Sequence, residues 1–564
     1  PQDERRYLNA LTRFGDPTAF AALLELCRTT IRTQDAPYQL SLAMGNRSRG
    51  AEAWEFVRDH WDELNERFPR NSIIRMVSGI RSFWDPALCD DILGFFEKHL
   101  PPQKDPRSVE YAAVNGALST LDPHSVLLKP EAFADMKTST KGEFGGLGIV
   151  ISVRDAKLTI MTPLDGTPAT RAGLKSLDVI TRIGDVSTVS MPIEEAVVKL
   201  RGPVGSKVTI WVQRKTWPEA RKFILTRETI KIESVESRLL DDRVGYVKIK
   251  NFQQNTGRDL DEHLEKLAKE AKGGLKGVVL DLRNNPGGLL EQAIRVSDKF
   301  LTSGDIVTTV GYGNKLRDPK RAQWSGTDVD LPLAVLVNNG SASASEIVAG
   351  ALKNLDRAVI VGERSFGKGS VQVLYDFADN SALKLTIAQY LTPGGISIQN
   401  VGVMPDIMVR PAVLEKEGIR LYYEPDQHRE ASLDKHLDRA KADQEVESKP
   451  SLELTYLVEP EKKEPATPAV EEPSDDEDEV PPDNFREDYP IKLGRQIVAF
   501  AGKQKRSETI KAARSLIAER SAEEDRRITA AITGLGVDWT PGTVPAKPVT
   551  LQAELDRIVL AEVV

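Results

Sequence analysis

The chain has 564 residues, a net charge of −8 and a mean hydropathy of −0.33, with 40% hydrophobic and 28% charged residues. That composition predicts a soluble globular chain of several domains, and no apolar run approaches the ~20 residues needed to span a bilayer. The acidic balance without a clustered basic face argues against nucleic acid or anionic lipid as main partner; six histidines and two cysteines, with no His-Glu-x-x-His and no Cys-x-x-Cys, argue against a zinc site.

From about Glu4 to Gly116 the pattern is helical: Phe20, Leu23, Leu24 and Cys27 recur at three- and four-residue spacing, and Trp54, Val57, Trp61 and Leu64 repeat it. Cys27 and Cys89 read as buried thiols, with a bridge open to them only in an oxidising compartment. The first residue, Pro1, predicts a processed or trimmed N-terminus, and no signal peptide is visible. Between Gly145 and Glu228 short β-type runs, including Leu158 to Met161 and Val208 to Val212, alternate with Gly/Pro/Asp turns. From Val244 to about Ile407 the apolar runs Val278 to Leu282, Leu333 to Val337 and Val359 to Val361 alternate with helical stretches starting near Leu289 and Ser345, the texture of an α/β fold with part of the sheet parallel. Beyond Pro411 the composition turns acidic. Glu471 to Glu479 holds seven acids in nine residues, which predicts a largely disordered linker, and helical, charge-laced sequence returns from Ile491 to Ile532.

The chemistry concentrates at three predicted strand ends, where ligands bind in open α/β sheets. In VLVNNGSASASEIVAGALKNL, from Val335 to Leu355, Ser341, Ser343 and Ser345 lie between a strand and a helix whose free N–H groups and dipole favour developing negative charge. Helix capping by Ser341 or Ser345 is the plain alternative. VIVGERSFGKGSVQ places Lys368 in a Gly-flanked turn with Gln372 four residues on, and LDLRNNPGGLL offers the backbone N–H groups of Gly287 and Gly288. His60, His99, His263, His428 and His436 fall in helical or linker patterns and His124 in an Asp-Pro-His-Ser turn, so lysine is the better base if burial favours its neutral form. An ordinary exposed lysine is the alternative.

SASASEIVAGAL, SFGKGSVQ, LDLRNNPGG, LDPHS from Leu121 to Ser125 and YLTPGGISIQNVGVMPDI from Tyr390 to Ile407 together resemble the carboxy-terminal processing peptidases, the tail-specific serine proteases. The resemblance runs from about Arg107 to Arg410. It implies a crotonase-like α/β serine-protease core, with Ser343 as nucleophile, Lys368 as general base, Gln372 orienting the lysine, and the N–H groups of Gly288 and Ala344 as oxyanion hole. EFGGLGIVI, GTPATRAGLKSLDVITRIGD and LRGPVGSKVTIWV resemble a PDZ domain, in which Gly146, Leu147, Gly148 and Ile149 would hold a peptide's terminal carboxylate, the edge of Ile149 to Val153 would take the peptide as an added strand, and Glu194 to Leu200 would flank the groove. Leu177 stands where the family usually has glycine, and Arg201 is a candidate for signalling between PDZ and protease, a surface salt bridge being the alternative.

The expected architecture is therefore a multidomain α/β and β protein: a helical N-terminal region (1–106), a first part of the protease core (107–139), a PDZ domain (140–230), the catalytic core (231–412), an acidic linker (413–490) and a helical C-terminal extension (491–564). The expected activity is serine endopeptidase action on proteins whose free C-termini the PDZ domain captures, with no metal, cofactor or nucleic acid. A non-catalytic PDZ adaptor is the competing reading, and crotonase-type acyl transfer a third that the PDZ insertion does not favour. By analogy the family adds export to the bacterial periplasm or cell envelope and a homodimer through the N-terminal helices.

Overall fold

The computed structural model describes residues 8–33, 35–99, 107–154, 157–189, 191–311, 317–324, 329–415, 418–420, 429–440, 443–444, 447, 449–458 and 485–535. Among them no helix is long and apolar enough to cross a membrane.

Helices from Pro17–Thr29 to Pro86–His99 close a core of their own around Phe20, Leu23, Trp54, Val57, Leu64 and Phe96. Pro17 opens the first of them, and Asp16 caps it by accepting from the Ala19 N–H at 2.8 Å. Cys27 is buried and Cys89 half-buried, both as free thiols; burial pushes Cys27 up to about 12, so it is inert packing.

A twisted sheet of strands in the order Ile149–Arg154, Lys157–Pro163, Val179–Ile183, Lys207–Gln213 and Arg221–Thr226 wraps an apolar core that includes Leu158, Ile160, Ile180 and Ile210. This unit is inserted through a neck: Glu143–Gly146 pairs antiparallel with Glu228–Lys231, Phe144 opposite Ile230. Its first strand is an edge.

The larger α/β unit runs β1 (Val235–Leu240), β2 (Val244–Ile249), α1 (Thr256–Glu270), β3 (Gly277–Asp281), α2 (Leu290–Asp298), β4 (Asp305–Gly311), β5 (Leu333–Val337), α3 (Ala344–Asn354), β6 (Val359–Gly362), β7 (Ser370–Asp376), β8 (Ala382–Thr392), β9 (Ile407–Glu415), β10 (Leu452–Leu457), α4 (Tyr489–Gln496) and α5 (Arg506–Gly534). Strands β2, β3, β5, β6, β9 and β10 are parallel neighbours, with β1 antiparallel at one side. Their continuous apolar runs follow from burial on both faces. Val278, Leu280, Val335 and Val337 enter one core with α1, α2 and α3, while Val279, Ala334 and Leu336 enter a second with Ile491, Ile497, Ile510 and Ile517 of the C-terminal helices. A second sheet of Val126–Leu128, β8, β4 and Arg317–Arg321, with β7 on β8, packs beside α3.

Two boundaries differ from expectation. The range read as an acidic linker contains the last three residues of β9 and all of β10, which complete the parallel sheet; the dense acidic stretch masks the short apolar run of β10, and 459–484 lies outside the described residues. The C-terminal helices are not an appendage. Arg283 at the end of β3 reaches Asp488 at 2.9 Å, and Arg506 reaches Asp406 at 2.6 Å, pinning both helices to the sheet. Residues 536–564 lie outside the described ones.

Candidate active site

β5 delivers the chain to a loop of small residues at the N-terminus of α3. The three serines there have different duties. Ser341 donates its hydroxyl to the Leu282 carbonyl at 2.8 Å, and Ser345 donates to the Asn285 carbonyl at 2.9 Å; both are fully buried. Neither is the cap: Ser343 is the N-cap, at φ 56° and ψ −111°, and 9% exposed. A non-glycine residue in that region costs roughly 1–3 kcal/mol and persists only where surroundings impose it. The imposing group is Glu346, whose carboxylate accepts from the Ser343 N–H at 2.8 Å. The Ser343 hydroxyl interacts with the Tyr390 phenol; burial pushes Tyr390 up and this contact draws it back.

Gly287 lies against the same turn, and Gly288 against the Phe252 backbone. A Cβ on Gly287 would stand 2.9 Å from Ser343 Cβ and 3.0 Å from the Ala344 nitrogen, and its φ of 102° is one that side chains rarely adopt. The Phe252 and Leu289 N–H groups clamp this loop, donating to the Gly287 and Phe252 carbonyls at 2.9 Å each. Among the described residues the N–H groups of Gly288 and Ala344 have no acceptor, so both are open to an oxyanion.

Lys368 enters from the loop between β6 and β7. Glu346 ties this loop to the serine turn, accepting from the Ser365 hydroxyl at 2.6 Å and from the N–H groups of Gly367 and Lys368 at 2.7 and 2.9 Å. Burial pushes Glu346 up to about 7 against these donors. Burial pushes Lys368 down to about 8, helped by Lys384 and opposed by Glu430, Glu346 and Asp122. Among the described residues no hydrogen bond or ion pair engages its amine.

Gln372 departs from expectation in its contacts. Its amide donates to Ser370 at 2.9 Å and to Thr386, directly across the β7–β8 ladder, at 3.2 Å, and it makes no bond to Lys368. Thr386 donates to Asp122 at 3.0 Å, which also accepts from the His124 N–H at 2.8 Å and the Ser125 hydroxyl at 2.5 Å. Burial pushes Asp122 up and these donors outweigh it, leaving it below the usual carboxylate range. The LDPHS turn thus reaches the Lys368 side of the site, and His124 is no solvated histidine. Sequence reading missed Glu346, Tyr390 and the Asp122–Thr386 link. Only Glu346 carried a signal, an acid three residues into a mostly apolar helix.

In the inserted β-unit, the N–H groups of Leu147 and Gly148 have no acceptor among the described residues, while the Gly148 carbonyl takes the Leu164 N–H at 2.8 Å. Gly148 sits at φ 75° with Thr167 where a Cβ would be. The edge strand beyond Ile149 exposes Val150 and Val153, and the flanking helix spans Ile193–Leu200. Leu177 holds a φ of 67° in its turn. Arg201 lies over the Phe144 ring of the neck at 4.3 Å and 3.7 Å from Asp135.

Family models match three stretches: peptidase family S41 over residues 243–409, a PDZ domain over 136–213 and an ERAP1-like C-terminal domain over 1–114. A carboxy-terminal-processing protease of Bartonella bacilliformis is 44% identical over 307 residues, which cover 54% of this chain and 70% of that protein. A carboxyl-terminal-processing protease of Synechocystis sp. is 37% identical over 326 residues, covering 56% and 75%. Among solved structures, a photosystem II D1 C-terminal processing protease is 31% identical, with 57% of this chain and 86% of that one covered and a TM-score of 0.34.

Proposed function

The chain belongs to peptidase family S41, the carboxy-terminal processing proteases, and from that premise we propose that Ser343 and Lys368 are its nucleophile and general base, serving protein tails held by the PDZ domain. It is a serine protease with a PDZ domain; the assignment of roles to residues, and of a crotonase-like character to the core, is ours. The observation that carries it is the division of labour among the three serines: Ser341 and Ser345 are spent on backbone carbonyls, while Ser343 sits strained against Gly287, with the open N–H groups of Ala344 and Gly288 next in chain to the two.

Neutral Lys368 would take the Ser343 proton as Oγ attacks a peptide carbonyl, with Gly288 and Ala344 N–H groups holding the oxyanion. The ammonium so formed would protonate the leaving amine, and the same lysine would then activate water against the acyl-enzyme. Substrate would have to bring the amine and hydroxyl into hydrogen-bond contact, since catalytic bonds often tighten only in the complex. The open N–H groups of Leu147 and Gly148 suit a terminal carboxylate, and the free edge beyond Ile149 suits an added strand. Gln372 would act through Ser370 and Thr386, by fixing the strand that follows Lys368. Export to the periplasm or cell envelope is part of the same proposal, and the bacterial origin of the relatives is consistent with it.

Ser343→Ala should abolish cleavage of an unstructured protein with an apolar C-terminal tail, read by gel, while leaving tail binding intact. Full activity in that variant removes the assignment, and a wild-type chain that binds the tail but never cuts favours the adaptor reading.

A further inference from the structure

Glu430 lies beyond the stretch matched to the protease family and is fully buried, with its carboxylate beside the Lys368 loop. Its own N–H donates to the Phe366 carbonyl at 3.1 Å, at one end of that loop. Its carboxylate accepts from Gln399 Nε2 at 3.1 Å, and Gln399 Oε1 in turn accepts from the Gly369 N–H at 2.8 Å, at the other end. His124 Nε2 stands 2.9 Å from both carboxylate oxygens. The four residues from Phe366 to Gly369 are therefore held by the Glu346 carboxylate at the backbone of Gly367 and Lys368, by the main-chain N–H of Glu430 at Phe366, and by the Glu430 carboxylate, through Gln399, at Gly369.

We propose that the Glu430 carboxylate, oriented by His124, positions the general base, fixing the Lys368 loop through Gln399 to Gly369. The plain alternative is that Glu430 only fastens the segment around it to the core. An apolar side chain would do that without the desolvation cost of a buried carboxylate. The carboxylate also joins His124, 306 positions earlier in the chain, to Gln399, whose other bond is to the loop that carries Lys368.

The inference rests on the Ser343/Lys368 reading, and its test is steady-state cleavage of an unstructured reporter protein by the full chain, with kcat and KM separated along the pH profile. Glu430→Ala should lower kcat by about thirtyfold with KM changed less than about twofold, the scale of an ångström-sized misplacement of a reacting group. Glu430→Gln keeps an acceptor and removes the charge, so it should lose less, about fivefold in kcat. Its ascending limb should also move to lower pH, because Glu430 favours the ammonium of Lys368. The other charged groups acting on that amine are Lys384, Glu346 and Asp122, which the variants leave in place.

A Glu430→Ala protein with wild-type melting and wild-type kcat overturns the proposal, as does a loss carried by KM alone. If Glu430→Ala does not fold, Glu430→Gln decides, and an unmoved limb overturns it. Lys368→Ala in the same assay keeps the two readings apart: activity retained there removes the base assignment itself, whereas an inactive Lys368→Ala beside a fully active Glu430→Ala removes only the role of Glu430.

Discussion

Lys368 occupies a site that favours its neutral amine, with burial and Lys384 bringing it down to about 8 from an unfolded value near 10.4. Cleavage should therefore rise with pH along a limb centred near 8, and a profile with no ascending limb would count against a lysine base. Stability follows the same shift. Between the two values the folded chain binds fewer protons than the unfolded one, so wild-type stability rises with pH across that window and the cost of the buried ammonium is fully present below it. Lys368→Met removes that cost and should add about 2 kcal/mol at neutral pH while ending cleavage. A melting temperature unchanged from wild type would mean the amine is better solvated than its surroundings imply. Leu177 carries a different strain, a φ of 67° with the side chain 62% exposed and little packing to lose. Leu177→Gly should stabilise the protein by about 0.5–1 kcal/mol, and a lower denaturation midpoint would contradict this.

Loops rather than regular elements carry the chemistry, and they are rigid because they touch one another. Gly287 is the contact between the oxyanion loop and the serine turn, with the Ala342 carbonyl 2.8 Å from where a Cβ would stand. Gly287→Ala should lower kcat/KM about a hundredfold through displacement of the Ser343 turn. A fold-competent Gly287→Ala with wild-type kinetics would show that the turn yields at no cost. Helix α3 holds the other side: every residue from Ala344 to Lys353 is buried, so its N-terminus cannot shift without repacking both sheets. Glu346 within that helix couples the serine turn to the lysine loop, which makes nucleophile and base one mechanical unit rather than two.

The parallel sheet is a middle layer, and its second face is closed by α4, the helical turn Ile497–Ala501 and α5 through Ile491, Leu493, Ile497, Val498, Ile510, Ala513 and Ile517. A chain ending before residue 485 would leave that face to water, and such a patch drives aggregation. Expression of the shortened chain should give insoluble protein; a monodisperse, active product would show that the sheet stands without its cover. The PDZ unit is attached differently. Chain enters and leaves through one two-stranded neck, with Arg201 bridging Phe144 and Asp135, so it can move as a body without breaking the core that holds Ser343.

Much of this protein is legible in its residues because each feature involved is local. Strands buried on both faces require unbroken apolar runs, and Val278 to Leu282, Leu333 to Val337 and Val359 to Val361 supply them close to where β3, β5 and β6 form. The glycines of the Pro-Gly-Gly turn and the second glycine of Gly-Leu-Gly mark positive φ values that few other residues tolerate. Other features depend on which distant groups meet. Three serines at two-residue spacing are equivalent until the Leu282 and Asn285 carbonyls claim two of them. Gln372 faces Thr386 because of strand register, and β10 joins a sheet across an acidic stretch that hides it. His124 reads as a turn residue until the chain brings a buried glutamate to it. Propensity and periodicity reach only a few residues along the chain, whereas hydrogen-bond satisfaction in a buried site is settled by all the groups that packing assembles there.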